Sequence, residues 1–407
     1  MINEIDLIME KRVAAVEFGS KKMKLVVGYE LDGQVYVLYS LAKPYGSMIE
    51  NGEIVDPTRI AEAVREIKNF TDPSAQLKFN ISEVLFALPP YGLQIFTSQQ
   101  ITTVVGEDSI INKVDIKNVH NLIRNGDLPS NNVLVDIVPV FYELNQGRRF
   151  INPPLGEVSS TVRVAALVHS LPKNVVDSYL SPLRLSEISV KRAMISSYAQ
   201  SVLLESNPNV PENYILVDIG SNMTTVSLIG EKRLYGSTYF SWGGDKITER
   251  IIEVFNINES DAEKYKITYG IDNRVMNFRA PVCKSYDGEG NEIKHYNDEL
   301  NQIIKDELAF FIKDLNASMD ELLKTYDQST KRLPMILVGG GAKLNGLVEY
   351  LSPKVTCDSL TVITPTNLGA RDGTYMTCLG LILANSKNQS VSDDSHTRVG
   401  KVTRDDK

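Results

Sequence analysis

Short apolar runs broken by polar turns open the chain. Residues 13–16, 23–30 and 34–41 each read as a strand, with tight turns at Gly19-Ser20 and Asp32-Gly33. The period then changes. Ile60, Ala63, Val64 and Ile67 recur at helical spacing behind Pro57, so residues 57–70 predict a helix. A short strand at 84–88 stops at Pro89-Pro90, and from there to about residue 163 the character shifts. Residues 93–105 are β-rich, and 115–124 predict a helix with Ile116, Val119, Leu122 and Ile123 on one side. Residues 132–144 predict a long strand, with Pro139 at a bulge or edge. This stretch reads as an inserted subdomain. Residues 157–169 return to strand, 173–183 to helix, 188–192 to strand and 194–205 to helix.

A linker with Pro208 and Pro211 follows, and the second half repeats the opening. Residues 215–219, 224–230 and 233–240 predict three consecutive strands. Helices are expected at 245–255 and 259–269, then an irregular β stretch over 273–294 with a hairpin at Asp287-Gly288. A long amphipathic helix covers 298–325. Residues 335–338 form a buried strand ending in Gly339-Gly340-Gly341. A helix at 345–351, a strand at 360–363 and a small-residue helix at 374–384 complete the pattern. After Asn385 the sequence is polar and aperiodic, so disorder is expected.

Composition narrows the classes. With 407 residues, 43% of them apolar, the chain can build two or more domains or lobes. A net charge of −8 argues against a dedicated nucleic-acid binder. Cys283, Cys357 and Cys378 form no CxxC, which suggests a reducing compartment and no structural zinc. His120, His169, His295 and His396 are scattered and read as surface or core histidines. No apolar run approaches the ~18 residues a membrane span needs. Residues 1–12 mix apolar and acidic positions. They read as a short N-terminal extension, a poor match to a signal peptide, with an acidic face ill suited to an anionic membrane.

Candidate chemistry gathers at three turns. Val217-Asp218-Ile219-Gly220 ends a buried strand with a carboxylate and a glycine. Val16-Glu17-Phe18-Gly19 does the same in the first half. Such a turn offers backbone N–H groups to phosphate oxygens and a carboxylate to the water shell of magnesium. It is also ordinary hairpin chemistry. The triple glycine permits close approach of a flat base or a phosphate, and equally makes a flexible strand-to-helix turn. What distinguishes the set is duplication: two matching three-strand units, each opening on an acid–glycine turn, imply two facing lobes with a nucleotide between them.

The chain resembles the superfamily of actin, the Hsp70-type chaperones and the sugar kinases. Within it, one branch resembles the chain closely, the bacterial cell-division protein family FtsA. The segments carrying it are 13–28, 47–55, 195–203, 216–226, Gly243-Gly-Asp-Lys-Ile-Thr248, 262–270, 336–347 and 373–381, in order along the chain. The resemblance implies an α/β, actin-like two-lobe fold with duplicated ribonuclease-H-like domains. It assigns 13–83 with 164–206 to the first lobe, 84–163 to an FtsA-type inserted subdomain, 207–269 with 333–385 to the second lobe, 270–332 to its outer subdomain, and 386–407 to a disordered tail. It implies ATP and Mg²⁺ as ligands. Glu17 and Asp218 would hold the metal through water. Gly19, Ser20, Lys21, Gly220, Ser221, Asn222, Thr224, Gly243 and Gly244 would line the phosphates. Glu263, Lys266, Gly340, Gly341 and Lys343 would meet the adenosine; Glu263 and Lys266 also read as an ordinary surface ion pair. No catalytic residue is assigned beyond, at most, slow ATP hydrolysis. The implied partners are a tubulin-like FtsZ, copies of the chain in a filament, and the cytoplasmic face of the membrane at the division site, reached directly or through a partner.

The chain also departs from that pattern. Glu17 stands where the family usually has Asp, a reach longer by about one carbon–carbon bond, roughly 1.5 Å. Ser221 and Asn222 replace more flexible glycines. Near Arg192 and Ala193 no carboxylate or amide offers to orient a water, which predicts slow hydrolysis. The terminal residues lack the amphipathic helix by which relatives reach the membrane surface, leaving residues 1–12 as a substitute. Two alternatives remain: another actin-like assembly factor of the pilus-assembly or rod-shape type, and a small-molecule kinase whose general base would be Asp136 or Asp177.

Overall fold

The computed structural model describes residues 12–50, 52–72, 78–105, 107–271, 279–286, 288–326 and 332–387. They divide into two units. The first takes in residues up to Phe18, Lys22–Leu203 and Thr377 onward; the second takes in Gly19–Lys21 and Leu204–Met376.

In the first unit, β1 (Val13–Phe18), β2 (Lys22–Leu31) and β3 (Gln34–Pro44) form an antiparallel meander, and β4 (Glu83–Leu88) pairs parallel to β1. Helix α1 (Pro57–Lys68) buries Ile60, Ala61, Ala63, Val64 and Ile67. It starts where Asp56 accepts from the N–H groups of Thr58 and Arg59, satisfying two otherwise orphaned donors.

The insert is a second layer with its own core. Its sheet uses β5 (Gln94–Thr103), β6 (Asn132–Leu144), β7 (Arg149–Phe150) and β8 (Thr161–Pro172), in the order β7-β6-β8-β5. Helix α2 (Lys113–Arg124) begins at a capping box between Asn112 and Asp115. It packs Ile116, Val119 and Ile123 against Tyr142, Val164 and Val168. The register of β6 slips between Leu134 and Asp136, and again between Pro139 and Phe141, where the proline cannot donate to the ladder.

Helix α3 (Lys173–Leu185) leads to β9 (Ser189–Ile195), which completes the core sheet in the order β9-β4-β1-β2-β3. Helix α4 (Ser196–Leu204) starts two residues later than its periodicity suggests, because Met194 and Ile195 still pair with Ala87 and Leu88.

The second unit repeats this plan. β10 (Tyr214–Ile219), β11 (Thr224–Gly230) and β12 (Arg233–Phe240) form an antiparallel meander. β15 (Met335–Val338) runs parallel to β10, and β16 (Leu360–Val362) parallel to β15. The order β12-β11-β10-β15-β16 mirrors β3-β2-β1-β4-β9 strand for strand, so the duplication expected from the sequence is present in the sheet topology.

Helices α5 (Gly244–Phe255) and α6 (Glu259–Tyr269) precede a ribbon of β13 (Pro281–Tyr286) and β14 (Glu292–Tyr296). The 29-residue α7 (Asn297–Thr325) buries Leu300, Ile304, Leu308, Phe311, Leu315 and Met319, with Trp242 packed on Phe311. Helix α8 (Leu347–Leu351) is shorter than expected, since Gly346 at φ +76° interrupts the helical path before it.

The last helix, α9 (Met376–Lys387), lies in the first unit apart from its first residue, whereas the resemblance assigns it to the second lobe. Its small residues explain the packing. A methyl at Gly380 would fall 2.0 Å from the Ala199 carbonyl oxygen, so only glycine lets α9 approach α4 this closely. Gln200 donates to the Thr377 hydroxyl at 3.0 Å, and the Cys378 thiol reaches the Lys24 carbonyl at 3.6 Å. Residues 1–11, Asp287 and the tail from 388 onward, including His396, lie outside the described residues, and with them the expected extension, the tip of the expected hairpin and the expected disordered tail.

Candidate functional site

The second unit assembles its predicted residues around the β10–β11 turn. Asp218 lies near the end of β10, paired with Thr225 on one side and Val338 on the other. The turn closes as the Gly220 N–H donates to the Met223 carbonyl at 3.0 Å. The start of α5 is docked directly onto it. The Gly244 N–H donates to the Gly220 carbonyl at 3.0 Å, and the Asp245 N–H to the Ser221 carbonyl at 2.9 Å. A methyl on Gly243 would sit 2.2 Å from the Ser221 oxygen, which explains that glycine.

This docking alters the expected role of Gly243-Gly244. The first-turn amides of Gly244 and Asp245 are engaged by turn carbonyls. In a trans peptide the C=O and the next N–H point in opposite directions. With the Gly220 and Ser221 carbonyls turned toward α5, the N–H groups of Ser221 and Asn222 point away from it. Those two amides form the edge of the turn that faces away from α5. The buried Asn222 Oδ1 has no hydrogen-bond partner among the described residues, so a polar ligand or water is needed there. Thr224 is buried, and its hydroxyl donates to the Trp242 carbonyl at 2.7 Å; it braces the strand behind the turn.

The triple glycine is placed with the same economy of space. Gly339, at φ +87°, lies so close to Asp218 that a methyl would fall 2.2 Å from Oδ1. A methyl on Gly341 would meet Ile219 Cγ2 at 2.3 Å, while Gly340 faces open space. Lys343 forms an ion pair with Asp372. Burial pushes the Asp372 carboxyl up, but Lys343 and the Thr374 N–H outweigh it and hold the group down to about 2.

Glu263 and Lys266 on α6 do pair, at 2.6 Å, but not on an open surface. The Lys266 ammonium is buried. It donates to the Gly244 carbonyl at 3.0 Å and to the Thr248 hydroxyl at 2.8 Å, which in turn reaches Glu263 at 2.7 Å. Lys266 therefore ties α6 to the first turn of α5. Lys21, from the β1–β2 turn that belongs with this unit, forms ion pairs with Asp245 at 2.8 Å and Glu259 at 3.0 Å. Burial alone would lower its pKa; the two carboxylates raise it above the ordinary ammonium value. Gly19 and Ser20 share that turn.

In the first unit Glu17 has a different setting. It is buried, and its Oε2 lies 3.1 Å from the Lys24 ammonium, its cross-strand partner on β2. Burial, with the Glu17 charge nearby, keeps the Tyr45 hydroxyl protonated. Arg192 is not available to orient a water. It bonds both oxygens of Asp136, at 3.0 and 2.7 Å, and the Ala384 carbonyl at 3.3 Å.

Magnesium has a partial fit. Asp218 offers a hard oxygen beside the turn whose Ser221 and Asn222 amides point away from α5. No group of three or more His, Cys, Asp or Glu side chains could cage a metal among the described residues. This donor set suits a cation held mostly by water and phosphate. No described helix is long and apolar enough to cross a membrane. Sequence reading missed Lys24, Asp245 and Asp372. Lys24 was the most accessible, because a four-residue connection over 19–22 puts residues 17 and 24 in cross-strand register.

Residues 215–380 match the family model described as cell division protein FtsA. The chain is 22% identical over 373 residues to the cell division protein FtsA of Enterococcus hirae, covering 90% of this chain and 81% of that protein. It is 24% identical over 372 residues to that of Buchnera aphidicola subsp. Baizongia pistaciae, covering 90% and 85%. Among solved structures, a PilM–PilN type IV pilus biogenesis complex matches with a TM-score of 0.60 at 18% identity, over 93% of this chain and 98% of that one. MreB 5 of Spiroplasma citri, bound to AMPPNP, matches with a TM-score of 0.53 at 12% identity, over 93% and 97%. The chain is thus similar over nine-tenths of its length to FtsA cell-division proteins, and it has the actin-like fold.

Proposed function

We propose that this chain is an ATP-dependent assembly protein of bacterial cell division. It binds ATP with Mg²⁺, polymerises, and recruits an FtsZ-type tubulin homologue at the cytoplasmic face of the membrane. The observation that carries the reading is the β10–β11 turn: the Ser221 and Asn222 amides point away from α5, beside the Asp218 carboxylate. Such a turn receives phosphate oxygens, and Asp218 orders the water shell of the accompanying Mg²⁺. Gly340, Gly341 and Lys343 flank the adenosine, with Lys266 and Glu263 positioning the α5 end. The AMPPNP carried by the MreB 5 structure supports a nucleotide on this fold.

Both candidate bases of the kinase alternative are engaged in ion pairs. Asp136 is buried against Arg192, and Asp177 bonds Lys173 at 2.7 Å and Arg184 at 3.4 Å. A general base needs an accessible lone pair within reach of a substrate hydroxyl. The ribbon β13–β14 and α7, within residues 270–332, are the proposed FtsZ-binding region.

Calorimetry with ATP and Mg²⁺ on the folded chain tests the nucleotide, and absence of binding would end this reading. Co-sedimentation with ATP, with and without lipid vesicles, tests polymerisation and membrane attachment. A pull-down of FtsZ that survives deletion of residues 270–332 would remove that region from the proposal.

A further inference from the structure

Lys21 is the one cation of the phosphate-lining set that enters with β1–β2, and two carboxylates already hold it. Asp245 Oδ2 stands 2.8 Å from its ammonium and Glu259 Oε1 stands 3.0 Å away. The two carboxylates differ. Glu259 is largely exposed, at 69%, so its pull is screened by water. Asp245 is only 15% exposed, and its backbone N–H is fixed to the Ser221 carbonyl of the β10–β11 turn. Its charge cannot swing far from that turn. A phosphate that reaches the Lys21 ammonium meets the Asp245 carboxylate, which stands 2.8 Å from the same nitrogen. At a partly buried site, where water screens little, like charges drawn to one cation oppose each other.

We infer that Asp245, assisted by Glu259, is a built-in anion that competes with the ligand's phosphates for Lys21 and so sets the threshold for nucleotide binding. The inference rests on the nucleotide reading above. It assigns Asp245 a specificity role. A ligand with a β/γ-phosphate tail must displace the carboxylates, whereas a ligand without phosphates does not encounter them. Asp245 therefore lowers the affinity for nucleoside di- and triphosphates and leaves adenosine untouched. The arrangement also makes the Lys21 pair exclusive with bound phosphate: either the carboxylates hold the lysine or the ligand does.

The test is calorimetric titration of the full-length chain, and of Asp245→Asn, with ATP, ADP and adenosine in Mg²⁺. Asp245→Asn is expected to bind ATP about tenfold more tightly, a difference of about 1.4 kcal/mol, with adenosine unchanged. Glu259→Gln is expected to move ATP affinity in the same direction by about twofold. Circular dichroism melts establish folding, and Asp245→Ser, a neutral residue suited to a helix start, replaces the asparagine variant if that does not fold. Unchanged or weaker ATP binding in a folded, neutral Asp245 variant overturns the competition while the parent's own ATP binding keeps the nucleotide reading. An equal gain for adenosine also overturns it, since general loosening would then be the cause. No ATP binding to parent or variant overturns both.

Discussion

The β1–β2 and β10–β11 turns occupy the same place in two sheets of identical strand order, yet their acids live in different surroundings. Glu17 reaches across to Lys24 at 3.1 Å, so its charge is balanced inside the first unit. Asp218 sits with Gly339 pressed against its Oδ1 face, and the adjoining turn presents amides. The fourth strand of each core sheet sharpens the contrast: β4 runs into Pro89-Pro90, and β15 runs into Gly339-Gly340-Gly341. Duplicated topology thus supports unlike chemistry. One acid is a neutralised structural partner, and the other is kept at a glycine-lined turn where backbone can come close.

The strongest break of this comparison is Gly339→Ala. The new methyl would fall 2.2 Å from Asp218 Oδ1 and 2.6 Å from the Ile219 oxygen, at φ +87°. Backbone strain and collision add, and we expect a loss of about 4 kcal/mol or more in denaturant unfolding. Pro89→Ala, at the matching place in the first unit, is expected to cost under about 1 kcal/mol, by relaxing the unfolded chain alone. Comparable losses at the two positions would erase the distinction drawn between the strand ends.

These two strand ends also show what the sequence can reveal. Acid–glycine turns behind buried strands, and the repeat of three strands, were visible because both follow from local period and turn chemistry. The strand order β12-β11-β10-β15-β16 could be expected only through the family resemblance, since β15 lies more than a hundred residues from β10. The site's ion pairs were less legible. Lys266 reads as a surface lysine at i, i+3 from Glu263, but its burial depends on α5 ending up against α6. Asp245 reads as a helix-start acid, and its bond to Lys21 joins residues from opposite ends of the sequence. Long-range partners of charged side chains are set by tertiary packing, which periodicity does not encode.

The units should also differ in their response to acid. In the first unit, burial lowers the His169 pKa to about 3, with Arg192 adding to the effect, and lowers that of His120 to about 4. Among the described residues neither ring nitrogen of His169 has a hydrogen-bond partner, and its ring stands edge-on to Tyr198. A histidine held neutral in the fold but protonated near 6.5 when unfolded favours the unfolded state as pH falls. The stability it confers is complete above about 6.5 and declines from there toward 3. By pH 4 the loss from His169 alone is about 3 kcal/mol. His169→Phe should flatten this part of the stability profile. An unchanged slope between pH 6.5 and 4 would show that the ring is not buried neutral.

A smaller effect probes the neutralised acid itself. Lys24→Met strips Glu17 of its cross-strand cation and leaves a buried carboxylate, at an expected cost of about 2 kcal/mol. Pairing it with Glu17→Gln should recover a good part of that cost, because no charge is then left uncompensated. Unfolding of the two single variants and the double variant gives the coupling energy. Strict additivity would mean that Lys24 does not balance Glu17, and the contrast with Asp218 would rest on topology alone.

The smallest effect is expected at Lys343, which pairs with Asp372 in the second unit. Both side chains are nearly half exposed, at 40% and 47%, so water screens the pair. The Asp372 carboxyl is nonetheless held down to about 2, with the Thr374 N–H contributing at 2.8 Å. A depressed carboxyl stabilises the fold above its unfolded value, near 4, and loses that contribution as pH falls toward 2. Because of the exposure, Lys343→Ala should change stability at neutral pH by less than about 1 kcal/mol. Its larger signature should be in binding. If Lys343 borders the adenosine, the variant should weaken ATP and adenosine by the same factor, about threefold or less, whereas Asp245→Asn should affect ATP alone. A Lys343→Ala variant that weakens ATP but not adenosine would move Lys343 from the base to the phosphates, and would place a second lysine beside Lys21 in the anion-binding set.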